Sequence, residues 1–462
     1  MVQSETQGSG GILSRRDFLK ATGMVSAGLV LAPTILAQES KAPSGDLNVA
    51  ILGAGTQGLV LLEQAVRIPG IKFTAVCDIW PYSQKYASGR LRSYKHEVKV
   101  YTDYQDMLAT EKGLDAVIVA SPDWMHAEHT IACLKAGLNV YCEKEMSNDL
   151  AKAREMVLAA RQTKKLLQIG HQRRSNPRYI LCHDKLLNEA KLLGRVTHAY
   201  GQWNRSVAAS APRGIPKGQE LDDATLKKYG YDTMDHFRNW RWCKKYGGGV
   251  IADLGSHQID IFGWFLGSNP KSVMAAGGND YYKDFEWPDN VMAIYEFQTP
   301  QGVARAYYQV LSTTGARGYF ESFMGVDGTL QISEDPGKCR VYAEGHLPNL
   351  PGDIHPWTPW EKKGYIVRMQ EPEEKATETK SDVDAILSVY KSLPPVTFLL
   401  KVDIEKSYHQ AHLENFFNAV RGKGKLNCPG EVGYETAVQV LRVNEAIASG
   451  KTLVFKEEDF KV

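Results

Sequence analysis

The 462-residue sequence is short of the features that mark specialised proteins. Its seven cysteines (77, 133, 142, 182, 243, 339 and 428) are odd in number, widely spaced and never C-x-x-C. That pattern excludes a disulfide framework and a zinc knuckle, and Cys77, Cys133 and Cys142 sit in apolar runs as small core residues. Neither charge dominates: 55 Lys+Arg against 53 Asp+Glu leave +2, which argues against a nucleic-acid partner or an acidic membrane surface. No run reaches the ~20 strongly apolar residues of a spanning helix. No repeat recurs at a fixed period, which removes solenoids and propellers. Hydrophobic residues at 43% exclude wholesale disorder. Glycine is plentiful, at 41 residues, and suits an α/β enzyme with many tight turns.

The N-terminus reads as an address. Ser14-Arg15-Arg16-Asp17-Phe18-Leu19-Lys20 precedes an uncharged stretch from Ala21 to Ala37, interrupted by Pro33. Twin arginines before a mildly apolar stretch are the signature of a Tat export signal. Residues 1–37 are therefore expected to be a signal peptide, with cleavage after Ala37 or retention as an anchor. The expected destination is the periplasm or cell exterior, with no membrane span in the mature chain.

A dinucleotide fold is expected over residues 45–170. Asp46 to Leu52 reads as a buried strand, and Gly53-Ala54-Gly55-Thr56-Gln57-Gly58 follows before a helical pattern. Gly53 permits the turn, Gly55 lets the backbone approach a pyrophosphate, and Gly58 allows close helix–strand packing. A second strand ends in Cys77-Asp78, and a carboxylate at Asp78 favours NAD over NADP by accepting from the ribose hydroxyl. No arginine adjoins Asp78 in sequence. Further strands at 115–120, 139–142 and 166–170 alternate with helices, which specifies a doubly wound parallel sheet. Its carboxyl edge carries Gly53, Asp78, Ser121, Asp123, Lys144 and His171, where ligands bind. His126-Ala127-Glu128-His129 lacks the order and third ligand of a metal site, so no metal is expected.

Residues 171–462 form a second unit. Strand-like segments at 272–279, 291–298, 303–311, 319–326 and 328–333 predict a large, mainly antiparallel sheet. Polar or Pro- and Trp-rich stretches at 206–238 and 334–400 read as insertions, and two amphipathic helices (405–421 and 431–449) close the chain. Trp240, Trp242, Trp357 and Trp360 are candidates either to stack on sugar faces or to pack under loops. After Gly247-Gly248-Gly249, a helix would put Asp253 and His257 on one face, with Asp260 a turn further. Histidine suits proton transfer near neutral pH; a helix-capping aspartate beside a core histidine is the plainer alternative.

The succession GAGTQG, SPDWMHAEH, VYCEKEMS, GHQRRSNP and GGGVIADLGSHQIDIFGW resembles the Gfo/Idh/MocA family of glucose–fructose oxidoreductase, inositol dehydrogenase and rhizopine-catabolism proteins. The likeness spans about 47–333. It implies a Rossmann domain plus an α/β domain with an open sheet that often mediates homo-oligomers. It implies cofactor contacts from Thr56, Gln57, Glu143, Lys144 and Gln172, with Ser121, Pro122, Asp123 and His126 on the nicotinamide side. Lys144 corresponds to the lysine of the family's E-K-P, and Asp253 with His257 to its D-x-x-x-H pair. Arg173 joins Lys144, Asp253 and His257 as an implied substrate contact. Glu145 stands where the family carries proline.

The resemblance implies hydride transfer between a ring hydroxyl of a sugar or glycoside, with C3 the candidate position, and a tightly bound NAD. His257 would take the hydroxyl proton, Lys144 would stabilise the alkoxide and Asp253 would hold sugar hydroxyls. The rival is an NAD-dependent glycosidase that oxidises C3 transiently, eliminates, adds water and returns the hydride.

Overall fold

The computed structural model describes residues 45–370 and 392–462. The expected signal at 1–37 and residues 371–391 of the expected second insertion lie outside them.

Strand β1 (Leu47–Leu52) is apolar almost throughout and buried along nearly its whole length, as a central parallel strand must be. It pairs in parallel with β2 (Ile71–Cys77) on one side and β4 (Ala116–Val119) on the other. The sheet continues with β3 (Lys99–Tyr101) beyond β2, and with β5 (Asn139–Cys142) and β6 (Leu167–Ile169) beyond β4. The order β3-β2-β1-β4-β5-β6 reverses between β1 and β4, which opens a crevice at their carboxyl ends. Helix α1 (Thr56–Ala65) leaves that crevice after the glycine turn, and α2 (Asp123–Lys135) starts beside it.

Among the described residues the second sheet has ten strands, in the order β14-β15-β13-β12-β11-β7-β10-β9-β8-β16. It runs from β7 (Val196–Asn204) through β8 (Pro270–Gly278), β9 (Asn290–Thr299), β10 (Gly302–Leu311), β11 (Tyr319–Gly325) and β12 (Gly328–Ile332). Every pairing is antiparallel except β7 with β10. The strict alternation of buried and exposed residues along β9 shows that one face of that strand meets the core. The stretch expected as an insertion at 334–400 contributes β13 (Arg340–Ala343), β14 (Ile366–Arg368) and β15 (Val396–Leu400) to this sheet. These strands are only three to five residues long, too short to show a period. A two-residue strand, β16 (Leu453–Val454), caps the other edge.

Two C-terminal helices, Tyr408–Val420 and Gly430–Ser449, return the chain to the first sheet. Helix α4 (Tyr408–Val420) buries Leu413, Phe416 and Phe417 in a cluster with Val49, Ile51 and Phe73, and so carries its N-terminal residues to the crevice. Helix α3 (Ser256–Leu266) packs Phe262 and Phe265 on Phe323 of β11. The turn before it, Ile251–Gly255, is π-helical. Wider π turns inside helices recur at functional sites. All seven cysteines are buried and unbridged.

Candidate active site

The glycine turn is built by close contacts. Gly53 has φ +92°, and a Cβ there would lie 2.5 Å from the Ser121 nitrogen. A Cβ on Gly58 would lie 2.1 Å from the Gly53 carbonyl oxygen. A Cβ on Gly55 would meet nothing within 4 Å, so the backbone there is open to a ligand. The asymmetry fits a pyrophosphate laid over Gly55 and against the first turn of α1.

Asp78 leaves β2 beside this turn. Its carboxylate accepts from the Ala54 amide at 2.7 Å and the Trp80 amide at 2.8 Å. Burial pushes it up to about 6, against the pull of those two bonds. Although no arginine adjoins Asp78 in sequence, Arg238 lies over the Trp80 ring at 4.8 Å.

The ends of β4 and β5 supply the next layer. Asp123 is buried, and burial lifts its carboxyl to about 7 despite Arg241 and Lys144. His126 donates from Nδ1 to the Glu145 carbonyl at 2.7 Å and is held neutral by burial, at about 4. His129 is hydrogen-bonded to the Ser121 hydroxyl at 2.9 Å. Each histidine of the H-A-E-H segment thus uses its Nδ1 within the protein. Glu143 accepts from Gln57 at 3.2 Å and from the Lys144 amide at 3.1 Å. The Lys144–Glu145 peptide bond is cis. Lys144 donates its ammonium to the main-chain carbonyl of Asp253, which ties the first sheet to the π turn.

On that turn, Asp253 accepts from Arg241 at 2.8 Å, with Arg205 at 3.7 Å. Burial pushes the Asp253 carboxyl up, but Arg241, Lys144 and Arg205 outweigh it and hold it well below the carboxylate range. His257 is buried and tilted over Trp203 at 5.4 Å; burial, then the charges of Lys144 and Arg173, keep its imidazole neutral. Among the described residues its Nδ1 has no hydrogen-bond partner.

One cavity of about 740 Å³ joins these groups, from Gly53, Gly55 and Asp78 to Lys144, Asp253 and His257. That volume lies within the ~300–1,000 Å³ typical of ligand pockets. Thr56, Gln57, Ser121, Pro122, Asp123, His126, Glu143 and Gln172 also line it, as expected sites. Gly58 does not, and serves helix packing instead.

Two expectations need correction. Arg173 does not line the cavity: it is 1% exposed and ion-paired with Glu321 and with Glu334, which is itself in the wall. Asp260 does not extend the Asp253/His257 face, because Arg174 and Thr436 hold its carboxylate in the interior. The glycine run opens the helical segment as expected: Gly249, at φ +75°, turns against the Trp287 ring, and the helix that begins there passes through the π turn into α3. Of the four tryptophans singled out, Trp240 alone lines the cavity. Trp357 is buried against Phe398, Trp242 stacks on Phe285 and Trp360 on Tyr365.

Sequence reasoning missed Arg241, Trp203, Tyr319, Tyr408 and His409, all in the lining. Arg241 and Trp203 stand beside stretches already singled out, but Tyr319, Tyr408 and His409 reach the site only through tertiary packing.

Comparison with known proteins agrees with this geometry. Residues 47–171 match the model of an oxidoreductase family with an NAD-binding Rossmann fold, and 185–331 match the corresponding C-terminal domain. The chain belongs to the Gfo/Idh/MocA family. Residues 13–32 match a twin-arginine translocation signal sequence, which supports export by that pathway. No described helix is long and apolar enough to cross a membrane.

Among family relatives, a 1,5-anhydro-D-fructose reductase of Ensifer adhaerens is 27% identical over 224 residues, 48% of this chain and 58% of the reductase. A glycosyl hydrolase family 109 protein of Stenotrophomonas maltophilia is 34% identical over 137 residues, 28% of this chain and 29% of the hydrolase. The matched region thus spans little more than half of the first relative and under a third of the second. The WlbA dehydrogenase of Bordetella pertussis, crystallised with NADH and UDP-GlcNAcA, superposes with a TM-score of 0.60 at 16% identity. The match covers 89% of this chain and 99% of the dehydrogenase. That likeness shows the shared fold.

Proposed function

We propose that the chain is an exported oxidoreductase that exchanges a hydride between a ring hydroxyl of a sugar or glycoside, with C3 the candidate position, and a tightly held NAD. The observation that carries the reading is the continuity of one cavity from the glycine turn to Lys144, Asp253 and His257. The open backbone at Gly55 fits a dinucleotide pyrophosphate, and Asp78 fits a ribose that bears free hydroxyls. Export supports tight retention, since the free cofactor is scarce outside the cytoplasm, and the periplasm or cell exterior is the destination.

When bound, a nicotinamide supplies the hydride acceptor. The protein's own groups govern the proton. His257 is neutral and can take the proton of a carbinol hydroxyl as the carbon gives up its hydride. Lys144, fixed by the Asp253 carbonyl, puts a positive charge where the alkoxide oxygen develops. Arg241 and Arg205 keep Asp253 ionised, so it accepts hydrogen bonds from neighbouring sugar hydroxyls. A homo-oligomer built on the open sheet is part of the same reading.

The hydrolase among the relatives keeps a second reading open, transient oxidation followed by elimination and hydration. One preparation separates the two. The purified mature protein is unfolded, its released nucleotide is identified, and the native sample is screened against glycosides in deuterated water. Bound NAD with accumulation of a keto-sugar is the expected result. Aglycone release with deuterium at C2 would establish the hydrolytic reading, and a chain with neither nucleotide nor turnover would refute both.

A further inference from the structure

Residues 206–238, polar and irregular in sequence, are a folded strap across the dinucleotide end of the cavity. Three short helices, Val207–Ser210, Asp223–Lys228 and Met234–Arg238, articulate it. Its apolar residues do not join either main core. Leu226, Tyr231 and Met234 instead form a separate buried cluster with Trp80, Cys243 and Tyr246. Trp80 follows Asp78 by two residues, so the strap is anchored on the loop that carries the ribose carboxylate. The Trp80 indole donates to the Gln219 carbonyl at 2.6 Å, and Arg238 covers its ring. A second anchor joins Tyr231 edge-on to Trp124, in the first turn of α2, at 5.4 Å.

Arg213 is the strap residue that reaches the glycine turn. Its main chain is bracketed by the buried Asn239 side chain, which accepts from the Arg213 amide at 2.7 Å and donates to its carbonyl at 3.3 Å. Its guanidinium donates to the Thr56 hydroxyl at 3.1 Å, at the first residue of α1. Among the described residues it has no carboxylate partner. The charges that act on it are mainly like its own, Arg241, Arg238 and Arg205, with Asp253 the opposing one. Arg213 is exposed and solvated, and it stands over the N-terminus of α1, whose own partial charge is positive.

We infer that Arg213 is a counter-ion for the diphosphate of a bound dinucleotide, and that the 206–238 strap fixes this charge over the glycine turn so that the nucleotide is retained. The inference rests on the reading that the cavity takes a nicotinamide dinucleotide. It adds a binding residue from outside the Rossmann segment, because the guanidinium supplies charge-assisted hydrogen bonds that the glycine turn alone does not.

The test uses the full-length protein freed of nucleotide, with ADP-ribose and adenosine as probes in calorimetry, and thermal melting as the check on folding. Arg213→Gln is expected to weaken ADP-ribose binding by roughly tenfold or more, the weight of a lost hydrogen bond to a charged group. Adenosine binding should be unchanged, and Arg213→Lys should recover part of the loss. Nucleotide that co-purifies with wild type should fall in Arg213→Gln. Equal ADP-ribose affinity in wild type and a folded Arg213→Gln would overturn the inference alone. Equal losses for adenosine and ADP-ribose, or an unfolded Arg213→Gln beside an Arg213→Lys that binds no better, would assign Arg213 to the strap's structure and overturn it too. A wild-type chain that binds neither probe would overturn this inference together with the proposed function.

Discussion

The Lys144 ammonium and the Asp253 main-chain carbonyl are hydrogen-bonded although 109 residues separate them in sequence. The bond aligns the end of β5 with the π turn, so the lysine is positioned by backbone and its charge is not consumed by a carboxylate. Lys144→Met should therefore lower kcat by about 10²–10³-fold, the cost of removing an oriented group that stabilises developing negative charge. Melting temperature and the amount of co-purified nucleotide should stay close to wild type. A variant with full turnover on the glycoside that the wild type oxidises would remove Lys144 from the chemistry.

Arg173 tests whether the ion pairs behind the wall are structural. Its partner Glu321 is fully buried, accepts from the Tyr179 hydroxyl at 2.7 Å and, through burial, is lifted to about 7. Arg173→Met leaves that carboxyl without its cation and should cost about 3–5 kcal/mol in urea unfolding. Arg173→Met with Glu321→Gln should recover much of this, because the orphaned charge goes with its partner. If Arg173 bound substrate directly, the single variant would raise KM and leave stability alone.

Glu145 gives a pH signature. It is 1% exposed and pushed up to about 8, first by burial, then by Asp123 and Asp260, against the Met146 amide and Lys144. Its unfolded value is about 4.3. Between these values the native state holds a proton that the unfolded state has released. The stabilisation is complete below about pH 4 and is lost as the pH rises towards 8, with a slope of up to about 1.4 kcal/mol per pH unit. Glu145→Gln cannot titrate, so its unfolding free energy should fall less steeply than that of wild type from pH 5 to 8. Parallel curves for the two proteins would show that Glu145 is ionised in the native state.

How much of this was legible in the sequence depended on range. The strand before Gly53 and the strands at 272–333 announce themselves by local pattern, and they lie within about two residues of the expected spans. The Gly53-to-Asp78 spacing places a whole ligand edge because a parallel sheet leaves those residues no other position. Arg173 misleads for the opposite reason: an arginine next to a motif looks like a ligand until Glu321, 148 residues on, is seen to hold it. Arg241 carries no sequence signal of its own, because it meets its partner Asp253 only in the fold, while Asp253 shows in sequence only its four-residue relation to His257. The strands of 334–400 were hidden because neighbouring strands, not their own residues, make them strands.

The glycine turn offers a prediction in which stability and binding separate. Gly55 has φ −70° and ψ −167°, a conformation open to any residue, and an added methyl meets no atom within 4 Å. Gly55→Ala should fold with a stability within about 1 kcal/mol of wild type, since the loss of unfolded-chain entropy roughly offsets a poorer helix cap. Its methyl would occupy the space that the pyrophosphate needs, so ADP-ribose affinity should drop at least tenfold. Gly58→Ala should behave in reverse order. Its methyl drives into the Gly53 carbonyl, helix α1 must shift, and stability should fall by about 1–3 kcal/mol before binding is considered. Thermal melting and calorimetry on the two variants decide the matter. A stable Gly55→Ala that binds ADP-ribose as tightly as wild type would mean that the dinucleotide does not lie over this turn, and that the cavity serves another ligand.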